Sequence, residues 1–273
     1  MKQRCLTGTI IGIVFLVLLL LSGTWLFNIV MALLSMIAGF EILNCTNQFD
    51  NKLLSIPSLV VCALIPFVAR LPYGFIAVVC VVFMFWCFFV SVFTNDRIDT
   101  QAISLVFCCI MYVSVCFYSL TRIRYIPDYG FLVLIMVFIG AWATDIFAYF
   151  TGRFLGRHKL IPKISPKKTI EGAVGGVVFC ILAYMVVGLV AGLILKRVPN
   201  YFVIAAMGIV VSVVAQLGDL AMSAVKRNYK MKDFGGIFPG HGGVLDRFDS
   251  ILAISPFLLM VAGNPGVIDI FKM

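Results

Sequence analysis

An all-α, polytopic integral membrane protein with about nine transmembrane helices is predicted by three observations on this chain. Of its 273 residues, 62% are hydrophobic and only 12% charged, and mean hydropathy is +1.10. Soluble domains carry about 25% charged and 45–50% apolar residues, which excludes a soluble reading. Apolar runs recur along the chain near the length needed to cross about 30 Å of hydrocarbon, roughly 17–25 residues. Charge, finally, gathers between those runs.

The first run, 6–22, follows the basic residues Lys2 and Arg4, as in a signal peptide. Its apolar stretch of about 16 residues has no A-x-A site after it and reads as an uncleaved first span. The second run, 25–45, is interrupted near its end by Glu41. A short third run, 55–70, closes at Arg70-Leu71-Pro72, which separates it from 73–94. The remaining candidates are 102–121, 130–150, 171–195, 201–222 and a short ninth at 249–263. No repeat of 20–50 residues and no low-complexity tail appears. Residues 1–129 form an N-terminal region of about five spans, and 130–273 a C-terminal catalytic region with charged loops at 151–170 and 224–248. The nine cysteines form no CxxC pair and sit mostly within apolar runs, as small reduced hydrophobes.

A formal net charge of +9 raises the possibility of nucleic acid, but its distribution points to membrane orientation and anionic ligands. With the N-terminus inside, cytoplasmic segments hold 15 of the 21 basic residues. That bias puts loops 151–170 and 224–248 on one face, where two loops can build one site.

The acidic residues sharpen this. Only twelve exist, and Glu41, Asp145, Glu171, Asp219, Asp246 and Asp249 lie at or inside span ends. A carboxylate within a span is costly and by default marks a site. Asp246 and Asp249 are spaced i, i+3, which sets both on one face of a helix starting there. Asp249 alone also suits a helix cap. Asp219, Asp246 and Asp249 together suit a hard divalent cation such as Mg²⁺. The opposite sign comes from Lys226, Arg227, Lys230, Lys232 and Arg247 around Pro239-Gly240-His241-Gly242-Gly243, and from Arg153, Arg157, Lys159, Lys163, Lys167 and Lys168 in the other loop, where Ser165 adds a neutral hydroxyl. Glycine backbone can approach a phosphate closely, although such a stretch is also an ordinary turn. Carboxylates embedded among cations are the pattern of phosphoryl and nucleotidyl transfer, which runs on positioning and charge neutralisation.

The stretch Ser223-x-Val225-Lys226-Arg227-x4-Lys232-Asp233-x-Gly235-x2-Phe238-Pro239-x-His241-Gly242-Gly243-x2-Asp246-Arg247-x-Asp249, preceded by Gly218-Asp219-Leu220, resembles the signature of phosphatidate cytidylyltransferases, the CDP-diacylglycerol synthases. The upstream blocks Asp145-x2-Ala148-Tyr149-x2-Gly152-Arg153 and Ser165-Pro166-Lys167-Lys168-Thr169-x-Glu171-Gly172 fit it too. The match covers roughly 145–250; Met222 stands where many members have Glu before the signature serine.

The resemblance implies transfer of the cytidylyl group of CTP to phosphatidate, giving CDP-diacylglycerol and pyrophosphate for phospholipid synthesis. It implies a bacterial inner-membrane enzyme with a cytoplasm-facing site, membrane lipid and no nucleic acid as partner, and a homodimer. Mg²⁺ is expected on Asp219, Asp246 and Asp249, with a second cation such as K⁺ nearby. Lys226, Arg227, Arg247 and His241 are the expected catalytic groups, His241 alternatively only stabilising its turn. Ser165, Lys167, Lys168, Ser223, Lys232, Gly242 and Gly243 are expected to bind substrate, with Asp145, Glu171 and Asp233 in support. Lys232 and Asp233 alternatively pair with each other. A transporter would show inverted repeats or midplane charge, and a CDP-alcohol phosphotransferase a D-G-x-x-A-R start; neither pattern is present.

Overall fold

The computed structural model describes residues 12, 15–72, 74–94, 98–237, 242–263 and 270–272. Among them run eight named helices: α1 Trp25–Cys45, α2 Lys52–Val68, α3 Gly74–Phe93, α4 Thr100–Ile123, α5 Gly130–Leu155, α6 Ile170–Leu195, α7 Tyr201–Asn228 and α8 Leu245–Ala262. Six of these, α1 and α3–α7, are long and apolar enough to cross a membrane. At 17 residues α2 is a shorter apolar helix, and α8 opens on a charged turn and contains Pro256. The expected first span falls largely outside the described residues, as do His241 and Arg97. Two small antiparallel ladders join the helices: β1 Lys159–Ile161 with β2 Ser165–Thr169, and β3 Val198–Pro199 with β4 Phe271–Lys272.

The chain divides into two compact units. One comprises Met1–Tyr125 and Asn228–Phe248, the other Ile126–Arg227 and Asp249–Met273. The charged loop 228–248 belongs to the first of these units.

In the first unit α1, α2 and α4 pack around Phe27, Met31, Ile42, Leu54, Ile65, Ile110 and Phe117, all at most 2% exposed. Gly39 allows the close approach of α1 and α2, since a Cβ there would lie 2.8 Å from Cys62 Sγ. By contrast α3 leaves most of its apolar surface outward, as a helix against lipid tails does. Pro57 lies inside α2 and has no N–H to give the carbonyl four residues back. That carbonyl, Leu53 O, instead accepts the indole N–H of Trp86 from α3 at 2.8 Å. A proline is thus tolerated because a neighbouring helix supplies the missing donor.

In the second unit α5 and α6 pair along a face of small residues. A Cβ on Gly172 would lie 2.7 Å from Ala148 O and 3.1 Å from Gly152 Cα, and one on Gly175 would run into the Thr151 side chain. Within lipid, apolar burial does not drive helices together, and such close backbone approach supplies the packing. Tyr184, fully buried on α6, donates to Met136 O on α5 at 2.8 Å. We expect Gly172→Val to destabilise this pair by about 1–3 kcal/mol, because the carbonyl it meets is backbone and cannot move aside. Thermal unfolding in detergent checks this; an unchanged midpoint contradicts the packing argument.

Candidate active site

In the second unit the loop expected over 151–170 is a continuation of α5 to Leu155 followed by the β1–β2 hairpin. The hairpin is anchored where it joins α6. Thr169 Oγ1 accepts from Gly172 N at 3.1 Å and caps the helix, while Ile170 N donates to His158 O at 2.9 Å. Glu171, in the first helical turn, receives the His158 backbone N–H and meets its ring Nδ1 at 2.6 Å. Glu171 and His158 therefore fasten the base of the hairpin.

This anchoring sets Lys167 and Lys168 along a cavity of about 300 Å³. Asp145, Tyr149 and Arg153 from α5 and Gln216 and Asp219 from α7 also line it. Lys168 Nζ lies 2.6 Å from Asp219 Oδ2, with each side chain about a quarter exposed (28% and 25%). The other carboxylate oxygen of Asp219 accepts from Ser223 Oγ, one turn along α7, at 3.2 Å. Arg227 Nε donates to Ile164 O in the hairpin turn at 3.3 Å, a second tie between α7 and the hairpin. Ser165 begins β2. Asp145 Oδ1 accepts from Ser250 Oγ on α8 at 3.4 Å, and Asp249 Oδ1 accepts from Ser250 N at 2.8 Å. Asp249 lies within electrostatic range of Asp145 and Asp219, and also of Lys226, which is buried in the last turn of α7. Among the described residues no group of three His, Cys, Asp or Glu side chains is gathered tightly enough to hold a metal by itself.

The first unit contains the rest of the charged loop, and here the unassigned Glu41 finds its place. Its carboxylate is 2% exposed on α1, with Oε1 accepting from Val244 N at 2.8 Å and Oε2 from Leu245 N at 2.9 Å. Asp246 Oδ2 accepts from Phe234 N at 2.8 Å and Gly243 N at 3.0 Å, closing the loop on itself. The glycines follow from these carboxylates. Gly242 has φ +85°, and a Cβ there would lie 2.9 Å from Asp246 Oδ2. A Cβ on Gly235 would lie 2.7 Å from Glu41 Oε1, and one on Gly243 would overlap the same oxygen. The backbone N–H groups of 243–245 are thus aimed at carboxylates of the chain itself. Lys232, Asp233 and Arg247 are exposed.

Of the residues expected from sequence, the second unit brings together Lys167, Lys168, Asp219 and Ser223, and sets Asp145, Lys226 and Asp249 in range of them. Sequence reasoning left Glu41 unassigned, named Thr169 only as part of a motif and gave Gln216 no place. A carboxylate deep in an apolar run was the available signal for Glu41; Gln216 had none.

A model of the cytidylyltransferase family matches residues 2–263. The phosphatidate cytidylyltransferase of Bacillus subtilis is 37% identical over 271 residues, covering 94% of this chain and 96% of that protein. The phosphatidate cytidylyltransferase of Staphylococcus epidermidis is 36% identical over 270 residues, covering 94% and 97%. That of Brucella abortus is 42% identical over 142 residues, about half of each chain (52% and 51%). With the family match spanning both units and relatives aligned over nearly their full length, this chain belongs to the cytidylyltransferase family.

Proposed function

We propose that this chain transfers the cytidylyl group of CTP to phosphatidate, releasing pyrophosphate, at the cytoplasmic face of a bacterial cell membrane. The observation that carries the reading is the cavity lined by Lys167, Lys168, Asp145 and Asp219, in which Lys168 pairs with Asp219. Relatives named for this activity support it. We also read α2, α8 and the N-terminal run as crossings, nine in all counting the six long helices, with the excess of Lys and Arg inside.

A phosphatidate oxygen attacks the α-phosphorus of CTP; the new P–O bond forms as the bond to the bridging oxygen breaks, and that oxygen leaves on pyrophosphate. The attacking group is already an anion, so no protein nucleophile is required. What the protein must overcome is repulsion between two anions, and Lys167, Lys168, Lys226 and Arg227 answer that need. Ser165 and Ser223 offer hydroxyls that orient phosphate.

The residues fit a Mg²⁺ that arrives with the nucleotide. Mg²⁺ takes one or two carboxylates plus phosphate and water, so a protein cage of three ligands is not needed. Asp219 and Asp249 repel each other across a partly buried region and would hold it, with Asp246, three residues before Asp249, as the third candidate. Bound there, the ion would neutralise charge building on the phosphates. Asp246 also holds the loop closed through Phe234 and Gly243.

The test is pyrophosphate release by purified protein in detergent, with phosphatidate, Mg²⁺ and each of CTP, ATP, GTP and UTP. Release is expected only with CTP and phosphatidate together, to vanish with EDTA, and to return with excess Mg²⁺. No release from folded protein with any nucleotide overturns the activity; release undiminished by EDTA overturns the metal.

A further inference from the structure

The geometry points to Gln216 as the residue that reads the cytosine, its side-chain carbonyl accepting the 4-amino group. This rests on CTP being the nucleotide, as proposed above. Gln216 lines the same cavity as Lys168 and Asp219, one turn along α7 from Asp219. Its amide orientation is dictated by its partners. Nε2 donates to Ala173 O at 3.2 Å and to Ser212 Oγ at 3.3 Å. Swapping the amide ends would set Oε1 against the Ala173 carbonyl, lone pair against lone pair, so the assignment stands on the hydrogen-bond network. Ser212 is itself fixed: it is fully buried and receives Thr144 Oγ1 at 3.0 Å. Both N–H groups of the amide are thereby committed, and among the described residues Oε1 accepts no hydrogen bond.

The side chain thus keeps one unmet capacity, a neutral acceptor held rigidly by two neighbours. The other polar groups of the cavity are mostly cations and carboxylates, suited to phosphate and metal but unable to tell one base from another. A neutral acceptor demands a donor. Phosphatidate has acyl carbonyls and a phosphate, which are acceptors. Cytosine presents an N–H₂ at position 4 where uracil presents a carbonyl oxygen. An acceptor fixed at that point favours CTP and leaves UTP facing it oxygen to oxygen. Tyr149, also on the cavity and more than half exposed, offers a ring face for the base.

The experiment measures kcat/KM for pyrophosphate release at fixed phosphatidate, in wild type and Gln216→Met, with CTP, dCTP, UTP and a CTP analogue carrying hydrogen in place of the 4-amino group. Gln216→Met is expected to lose about 10- to 100-fold with CTP and dCTP, the cost of leaving one hydrogen-bonding group unsatisfied. It should lose little with UTP or the analogue, so the preference for CTP collapses. Gln216→Glu, which keeps an acceptor but loses the N–H ties, should turn over more slowly yet still prefer CTP to UTP. It also serves where the Met variant fails to fold. An equal loss with all four nucleotides makes Gln216 a strut between α6 and α7 and overturns the assignment. So does a variant that still rejects UTP, or one that loses only a distinction between CTP and dCTP, which would mean contact with the ribose. If wild type releases pyrophosphate with none of them, the proposed activity itself fails and takes this assignment with it. A wild type selective for CTP whose selectivity survives Gln216→Met removes this assignment alone.

Discussion

Asp219→Asn is expected to lower kcat/KM for CTP by about 100- to 1,000-fold, the range seen when one group stabilising transition-state charge is removed. The substitution keeps the shape and one oxygen, so Ser223 Oγ retains a partner. It removes the charge that holds Lys168 at 2.6 Å. Freed from that carboxylate, Lys168 loses its fixed position on the cavity, and the proposed Mg²⁺ site loses a ligand in the same step. Stability should change much less, because both partners are about a quarter exposed (28% and 25%) and water screens the pair. A loss on the order of 1 kcal/mol is the upper expectation for such a pair. Activity and stability should therefore separate: near-normal thermal unfolding with nearly absent turnover. Lys168→Met provides the second arm, and the double variant should be little worse than Asp219→Asn alone, since the two act as one unit. Retention of more than about a tenth of wild-type turnover by Asp219→Asn would remove the residue from the mechanism.

The membrane helices were legible because lipid leaves the backbone few choices. Without water to satisfy N–H and C=O groups, a long apolar run must be a helix or part of a barrel. The apolar runs thus predicted α1, α3, α4 and α6 to within two residues at each end, and α5 and α7 with C-termini five and six residues short. The departures have local causes. Helix α7 runs to Asn228, past the 222 expected from apolarity, because Lys226 and Arg227 at its C-terminus oppose the negative end of the helix dipole. The β1–β2 hairpin went unseen because its strands, Lys159–Ile161 and Ser165–Thr169, lack the alternation of apolar and polar residues that announces a half-buried strand.

The site was legible to the extent that its chemistry is carried by charged side chains in short order. Lys167, Lys168 and Asp219 stood out as charges beside apolar runs, and the second unit joins them. What sequence could not give is direction. The glycines at 235, 242 and 243 were open to being a phosphate cradle or a turn, yet the backbone they expose is turned toward Glu41 and Asp246. Glu41 is separated from Val244 by 203 positions, so no local pattern ties them. Gln216 became visible only once both of its donors were seen to be committed.

Glu41→Gln is the second change expected to act strongly, through the loop. Each oxygen of the carboxylate accepts from a backbone N–H, of Val244 and of Leu245. Hydrogen bonds to a charged group contribute about 1.5–3 kcal/mol each, so the clamp is worth several kcal/mol to this loop. Glutamine is nearly the same size but offers one oxygen and one NH₂, which must face an N–H donor. With Glu41 2% exposed, no water relieves that clash, and the packing of Gly235 and Gly243 leaves no room to turn away. The result should be faster amide exchange at Val244 and Leu245, and loss of order reaching Asp246 through Gly243. Turnover should fall by about 100-fold, as when a positioning contact is lost and geometry drifts by an ångström. Helix α1 itself should persist, since its apolar packing does not depend on the carboxylate. Exchange at 244–245 as slow as in wild type would show that the loop keeps its form without the charge. In that case Glu41 fills space, and the activity of the variant should be intact as well. Slow exchange with lost activity would overturn loop order as the route by which Glu41 acts.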